Sequence, residues 1–362
     1  MVSPFFNLYL VEVGFSATLI GAILSIGALI ELTVTPLLNR YADQHHAHRR
    51  LYIGYLLVFA IANFLFGNIQ TTWILVLATL MVEASIRPSM TIGMQLTIVK
   101  LEQEGRAMIG RIRSFAALGF AFASLVAGQL FGIGGYPLIF WAGGFLTLVS
   151  VKTAQILPTK TTSDDLRSNP VPRRRGFYYL AASQFFVSMG IRAGHAFWWV
   201  HFQENLGVST AHIGILVAFL AGAEVPFFML LDPLMKRFNP RITFIVGSFG
   251  LSIIFLLLGA VPNVWWLIPL ILIRGILWPM YHVPVFLVAS KISHPRNVAT
   301  NQAILQITVP AIAVLLTGTA SGWIFDHLGA FPFFAATATA CMIGGIIAVI
   351  GYRTMQPIAI EE

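Results

Sequence analysis

The chain alternates between long apolar runs and short polar segments. A membrane-spanning helix needs about 20 mostly apolar residues, and we count eleven such runs. An earlier apolar stretch, 4–13, is too short to cross and lacks the basic start and cleavage site of a signal peptide. The pattern predicts an all-α polytopic membrane protein with spans at about 16–40, 51–68, 72–97, 110–133, 136–157, 177–202, 209–234, 241–261, 264–290, 299–325 and 331–353.

Composition agrees with this pattern. Hydrophobic residues make up 57% of the chain and charged residues only 10%, whereas soluble domains average about 25% charged residues. Intrinsic disorder is excluded for the same reason. The single cysteine, Cys341, excludes an intrachain disulfide. The net charge of +8 would suggest a nucleic-acid partner in a soluble protein, but here it marks membrane orientation, and we expect no nucleic acid.

The basic residues are strongly asymmetric. Of the 22 lysines and arginines, three lie deep inside predicted spans, and the other 19 lie at or near alternate span ends, whereas the opposite loops contain none. Basic loops stay in the cytoplasm. We therefore expect a multi-pass protein of the inner (plasma) membrane, with the linker 158–176 and the C-terminus cytoplasmic. The side that carries these charges is called the basic face below.

The two halves of the chain resemble each other. GFSATLIGAILSIGALIE, from Gly14, matches GVSTAHIGILVAFLAGAE, from Gly207, at an offset of 193 residues that also pairs Glu31 with Glu224. Parallel helical repeats are typical of one large class of secondary transporters. The repeat predicts an N-terminal half at 1–157 and a C-terminal half at 177–362, joined by the linker. The same offset places the start of helix one about 17 residues before Met1, so we expect a truncated first helix followed by eleven full spans.

The loop after the first full span, LLNRYADQHHAHRRLYIG, resembles the G-x-L-a-D-r-x-G-R-R loop motif of the major facilitator superfamily. Asp43, Arg49 and Arg50 match the motif, and the resemblance implies a gating role for them. Asn39 replaces the first glycine of the motif. Histidines stand where the second glycine would be: His45, His46 and His48.

Further motifs resemble the branch that holds phenylpropionate permease-like, nucleoside:proton symporter-like and lactose permease-like proteins. They are GRIRSFAALGF at 110–120, the Ala223–Glu224 pair, IRGILWPMYHVPVF at 273–286 and Gln302. Arg274 stands where the phenylpropionate-type pattern has histidine, which weakens the transfer of that substrate. The resemblance implies a bundle of six plus six helices and solute transport by alternating access, commonly proton-coupled.

Six charged residues lie near the middle of predicted spans. Each costs about 2.5–3.5 kcal/mol to insert, and six unpaired charges would together cost on the order of 15–20 kcal/mol, comparable to the stability of a whole domain. They must therefore face protein or a water-filled cavity and must largely pair. They are Glu31, Glu83, Arg87, Arg192, Glu224 and Arg274.

The carboxylates have two readings each. Glu83 and Arg87 are four residues apart and share a helix face, so they form either a structural ion pair or a substrate-facing or gating pair. Glu31 and Glu224 are isolated in the sequence, and a carboxyl group in apolar surroundings can take up and release a proton. They are candidates for proton coupling. The alternative is a neutral acid hydrogen-bonded to a neighbouring helix.

The cations also have two readings. Arg192 and Arg274 stay charged, so they either clamp an anionic solute or neutralise Glu31 and Glu224 across the bundle. His195 is a candidate proton relay or a hydrogen-bonded core histidine. Further candidates for solute contact lie near Arg274, and their alternative role is simple packing: Trp278, Tyr281 and His282.

Other function classes lack their motifs. No P-loop pattern occurs, so the sequence does not indicate ATP-driven transport. No CxxC or HExxH pattern occurs either, so it does not indicate a metal or redox site of those types. A solvated loop explains the histidine run better than a metal site, and we expect neither metal nor cofactor. The main interpretation is a monomeric, proton-coupled importer of a small anionic or polar metabolite. The alternatives are proton-antiport efflux of drugs or metabolites and, from another class, a membrane-embedded enzyme; an ion channel fits the repeat less well.

Overall fold

A computed structural model describes residues 2–104, 109–159, 172–230, 235, 237–294 and 297–356. Regular structure within these ranges is helical, without strands. Nine helices there are long and apolar enough to cross a membrane, which confirms the predicted all-α membrane class. The helices are α1 Ser3–Glu12, α2 Ala17–His45, α3 His48–Asn68, α4 Thr72–Gln103, α5 Ile109–Ala154, α6 Arg175–Glu204, α7 Thr210–Met229, α8 Pro240–Gly259, α9 Leu267–Ile292, α10 Val298–Ala303, α11 Val309–Leu328 and α12 Ala330–Gly351.

Helix boundaries refine the predicted spans. Helix α5 covers both the 110–133 and the 136–157 span, and it breaks at Gly134 and Gly135, where Gly135 has a φ of 66° that glycine adopts without strain. Helix α6 occupies the predicted 177–202 span but is not among the nine apolar helices. Most of the predicted linker, residues 160–171, lies outside the described residues.

One long membrane helix is not uniform along its length. Helix α10 continues through a π-helical segment, Ile304–Thr308, directly into α11. A π turn has i to i+5 hydrogen bonds and is rare outside functional sites. The residues from Thr300 to Leu328 therefore form one apolar crossing that contains a local change of hydrogen-bond pattern.

The internal repeat is visible in local structure. Helices α2 and α7 each follow a glycine with positive φ, 93° at Gly14 and 66° at Gly207. Each then starts at a serine N-cap: Ser16 accepts a hydrogen bond from Leu19 N, and Ser209 accepts one from His212 N. The two halves thus begin their matching helices with the same turn and the same cap.

The two halves pack through pairs of helices at small residues. Helix α2 lies against α11, and α5 lies against α7. A side chain at Gly21 would overlap the backbone of Gly318, and one at Gly128 would meet the oxygen of Ala211 at 2.7 Å. Such small residues let membrane helices approach closely. Gly21 and Gly214, which is packed against Gly128, are matching positions of the repeat.

The hydrogen bonds that described residues form between the halves lie away from the basic face. Asp326 at the end of α11 accepts bonds from Ala17 N at 2.9 Å, Thr18 N at 2.7 Å and Thr18 Oγ1 at 2.6 Å, at the start of α2. Asn7 Nδ2 donates to the Ala196 oxygen at 2.7 Å. These bonds fasten the halves together at the face opposite the basic face, called the closed end below.

Nearer the basic face, a cation of the N-terminal half contacts aromatic rings of the other half. The Arg113 guanidinium lies 5.9 Å from the Phe228 ring and 5.3 Å from the Phe286 ring. The described contacts between the halves therefore change in kind, from hydrogen bonds at the closed end to ring contacts of Arg113.

Candidate functional site

An N-terminal charge cluster joins α2 and α4. Arg87 Nε lies 3.7 Å from Glu31 Oε2, and Arg87 Nη2 lies 3.7 Å from Glu83 Oε2. Gly27 makes this possible, because a Cβ there would meet the Glu83 Cβ at 2.6 Å. Two carboxylates thus share one guanidinium, as the spacing of Glu83 and Arg87 suggested. Arg87 Nη1 is buried and has no hydrogen-bond partner among the described residues.

A C-terminal charge cluster joins α6, α7 and α9. Arg274 Nη1 lies 3.4 Å from Glu224 Oε1, and Arg274 Nη2 contacts His195 Nε2. Gly275 brings α9 against α7, because a Cβ there would meet the Leu220 oxygen at 2.8 Å. The Arg274 side chain is 3% exposed and that of Glu224 is 17% exposed. This arrangement holds a nearly dry guanidinium beside a carboxylate that water still reaches.

Aromatic rings enclose the Arg274 guanidinium. It lies 5.0 Å from the Trp198 ring and 5.1 Å from the Trp278 ring, within the range of cation–π attraction. His195 stacks on Trp198 at 4.8 Å, and Trp278 stacks on His282 at 5.0 Å. Arg274 Nε and Trp198 Nε1 are buried donors without partners in the described part of the chain. They can donate to an acceptor that enters this space.

Arg192 is not a member of either charge cluster. Arg192 is half-buried one turn before His195, and the structure gives it no ion pair with any described residue. The alternative reading of neutralisation therefore fits Arg274, which pairs with Glu224, whereas Glu31 pairs with Arg87.

Two aromatic candidates occupy different places. Tyr281 is only 2% exposed, donates to Gln184 Oε1 at 2.7 Å and stacks on Phe244 at 5.7 Å. It is packed inside the C-terminal half, which matches the alternative role of simple packing given for it above. Trp278 is half-buried beside Arg274 and remains positioned for contact.

Sequence reasoning missed Arg113. We counted it among the loop cations, although it lies three residues inside the predicted 110–133 span. The structure places it half-buried between Phe228 and Phe286, and the Phe286 ring lies 5.5 Å from the His282 ring. Its depth within an apolar run was the signal that could have identified it.

The motif loop makes its contacts within the N-terminal half. Asp43 Oδ1 lies 2.8 Å from His48 Nε2. Arg49 Nη1 donates to the Gln155 oxygen at 2.9 Å and the Leu157 oxygen at 3.1 Å, whereas Arg50 is exposed. His46 has a φ of 50°, so it supplies the left-handed turn that a glycine makes in the motif.

The histidine run does not form a metal centre with other ligands. Among the residues that the structure covers, no group of three or more histidine, cysteine, aspartate or glutamate side chains could hold a metal ion. In that loop, His45 bonds to the Tyr41 oxygen and His48 to Asp43. These contacts fit a local role in the turn between α2 and α3.

Comparisons with solved structures agree with the helical arrangement. The chain is similar to a mutant form of the nucleoside transporter NupG, with a TM-score of 0.74, 15% identity and coverage of 98% of this chain and 94% of that one. A second NupG structure gives a TM-score of 0.70 at 16% identity, covering 96% and 93% of the two chains. These matches support the expected 6+6 helix bundle.

Comparisons with known sequences identify the family. The chain is 22% identical to the maltose permease of Geobacillus stearothermophilus over 99% of this chain and 92% of the permease. It is also 22% identical to the uncharacterized transporter YwbF of Bacillus subtilis (strain 168), over 97% and 87% of the two chains. Residues 1–336 match the family described as the MFS_1 like family. The chain therefore belongs to this family of multi-pass membrane transporters of the major facilitator type and is not an enzyme.

Proposed function

We propose that this transporter imports a small anionic or polar organic solute together with protons, by alternating access between its two halves. The observation that carries the proposal is the pair of charge clusters, one in each half of the chain. Each cluster contains a guanidinium that holds a carboxylate and still has a buried donor nitrogen without a partner among the described residues. An acceptor on a solute can satisfy those nitrogens.

Proton coupling follows from competition for Arg274. While Glu224 is ionised, it occupies one edge of the guanidinium at 3.4 Å. A solute carboxylate that approaches the same guanidinium meets the negative charge of Glu224, and two like charges cannot share the site without cost. Protonation of Glu224 removes that repulsion and frees the guanidinium for the solute. Solute and proton therefore bind together and leave together.

Supporting residues extend this mechanism. His195 contacts Arg274 and can pass a proton toward Glu224, which makes it our candidate relay. Glu31 and Glu83 compete for Arg87 in the same way in the N-terminal half. Arg192 supplies a positive charge without an ion pair in the described structure, so it attracts an acidic group on the solute. Trp278 offers a ring face beside Arg274 and stacks on His282.

A ligand screen can distinguish between the two possible classes of solute. The two named relatives concern maltose and nucleosides, which are polar and uncharged at neutral pH, whereas Arg192 favours an acid. Ligands that bind the folded state raise its apparent stability. A thermal-shift screen of small organic acids, nucleosides and disaccharides against the purified protein therefore separates the two possibilities. We expect acids to give the largest shift, and Arg192→Gln to remove it.

The test of proton coupling is uptake into proteoliposomes. We expect an inward proton gradient to drive accumulation of the solute chosen by the screen, and a proton ionophore to abolish it. Glu224→Gln should lose the dependence on pH while it still exchanges solute across the membrane. Glu102→Gln, an exposed carboxylate at the basic face, is the matched control and should behave as wild type.

Two results would contradict the proposal. Unchanged proton dependence in Glu224→Gln would remove this residue from the coupling role. Accumulation on the side from which protons leave would indicate antiport and efflux. The proposal places the chain in the inner (plasma) membrane as a monomer with the basic face and C-terminus in the cytoplasm, and labelling of an introduced basic-face cysteine from each side of the membrane tests that orientation.

A further inference from the structure

A cavity of about 260 Å³ lies at the basic face of the C-terminal half. It is formed where α8 begins, α9 ends and the chain turns after α12. The charge clusters lie elsewhere, near the middle of α7 and α9, and share no residue with its lining. The proposed transport mechanism therefore does not use this cavity.

The polar part of the cavity wall is cationic. Arg237, Arg241 and Lys291 line it, and no lining residue is acidic. Within the described chain, none of the three has an ion pair. Three positive charges around one cavity repel one another, and an anion bound among them would relieve that repulsion.

Arg241 is held in place without losing its charge. Its Nη1 donates to the Tyr352 oxygen at 3.1 Å, its Nε lies 3.4 Å from Asn239 Oδ1, and its guanidinium lies 4.5 Å from the Tyr352 ring. All these partners are neutral. The first turn of α8, which starts at Pro240, adds the positive end of a helix dipole to the same wall.

Apart from the neutral Asn239, the rest of the wall is apolar. Val288 and Met355 are each 2% exposed, and Phe238 is 51% exposed. A small soluble anion has no apolar atoms to pack against such a surface, whereas a phospholipid has apolar atoms directly next to its phosphate. The cavity lies at helix ends, at the level where lipid headgroups meet a membrane protein, and basic pockets at that level bind anionic headgroups.

We infer that this cavity binds the phosphate group of an anionic phospholipid of the basic-face leaflet. Arg237, Arg241 and Lys291 hold the phosphate, and Phe238, Val288 and Met355 contact the glycerol and upper chain. The bound headgroup connects the start of α8, the end of α9 and the turn after α12. It therefore stabilises the C-terminal half, and it does so whatever solute the transporter carries.

The test is thermal unfolding of the purified full chain in detergent with added phosphatidylglycerol, phosphatidylcholine or inorganic phosphate. We expect phosphatidylglycerol to raise the unfolding midpoint of wild type, with a half-saturating concentration at least tenfold higher in Arg237→Gln/Lys291→Gln. Both of those side chains are exposed, so the double variant should match wild type without lipid. Arg40→Gln, an exposed cation at the basic face of the other half, is the control and should respond as wild type does.

The outcomes separate the sources of phosphate. A shift with phosphatidylglycerol that inorganic phosphate cannot reproduce supports the lipid assignment. An equal shift with inorganic phosphate alone, lost in the double variant, supports the same phosphate site with a soluble ligand. Equal shifts with phosphatidylcholine and phosphatidylglycerol, or an unaltered phosphatidylglycerol response in the double variant, would overturn the inference.

Discussion

The two halves differ in how they pair the charged residues that lie within the membrane. In the N-terminal charge cluster one arginine, Arg87, serves two carboxylates, and its side chain is 23% exposed. In the C-terminal charge cluster Arg274 serves one carboxylate and a histidine, and its side chain is 3% exposed between two tryptophans. The first cluster carries spare negative charge, whereas the second is balanced and nearly dry.

This difference affects how each cluster tolerates the loss of a partner. In a cluster with more carboxylates than cations, the arginine keeps one carboxylate when the other is removed. A cation enclosed by rings has lost most of its hydration, so each interaction it makes is stronger than it would be in water. The contrast predicts that variants in the C-terminal cluster cost more stability than matching variants in the N-terminal cluster.

The largest expected effect is that of Arg274→Ala. Removal of one member of a buried pair leaves the other charge uncompensated and costs about 3–5 kcal/mol. Thermal unfolding in detergent should show a large drop in the midpoint. Addition of Glu224→Gln should restore part of the loss, because the stranded carboxylate is then gone. A double variant no more stable than Arg274→Ala would mean that the two side chains are not coupled.

Arg192→Gln should change binding rather than stability. The structure gives Arg192 no ion pair with the described residues, so its removal strands no partner, and the unfolding midpoint should stay the same or rise. Affinity for an acidic solute should fall about tenfold, ~1.4 kcal/mol. Affinity for an uncharged solute should not change. Isothermal titration with matched acid and amide solutes measures this, and an equal loss for both would exclude a charge-specific role.

Asp326→Asn tests the closed end. The carboxylate accepts three bonds from the start of α2, and loss of its charge should cost about 1 kcal/mol, typical of a helix cap. Amide hydrogen exchange at Ala17 and Thr18 should then become about fivefold faster. The matching turn at Ser209 in the other half, which has its own cap, is the internal control. Equal acceleration at both turns would indicate general loosening instead.

The smallest effect should come from Glu31→Gln. Arg87 keeps Glu83 as a partner, so the loss should be about 0.6 kcal/mol, near the average for a polar contact between membrane helices. The Glu31→Gln/Glu83→Gln double variant should cost more than the two single variants combined, since it strands Arg87. Thermal unfolding of the three proteins measures this difference. Simple addition of the single effects would show that the carboxylates act independently.

Sequence patterns predicted the fold better than they predicted which charged residues form ion pairs. Long apolar runs suffice to locate helices, and a spacing of four residues suffices to join Glu83 with Arg87. The partner of Glu31 depends on how α2 is rotated against α4, and that rotation is set by the close approach at Gly27. Spacing along one chain does not contain this information.

The same limit explains why the surroundings of Tyr281 and Arg113 could not be predicted. Tyr281 faces inward because α9 packs against α8 on the side that carries it, and a sequence shows only that Tyr281 lies two turns from Arg274. Arg113 lies near a helix end, where charge counting assigns it to a loop, although the other half provides aromatic partners for it. Contacts between distant elements decided both cases.

The π-helical segment Ile304–Thr308 has a mechanical consequence. Its hydrogen bonds skip one residue further than those of the α-helical stretches on either side, so the rod is most compliant at that level. The part of this crossing that follows the segment, α11, is bound to α2, because Ser25 Oγ donates to the Val314 oxygen at 3.2 Å. The part that precedes it, α10, can therefore change its angle at the π-helical segment while α11 stays packed on α2.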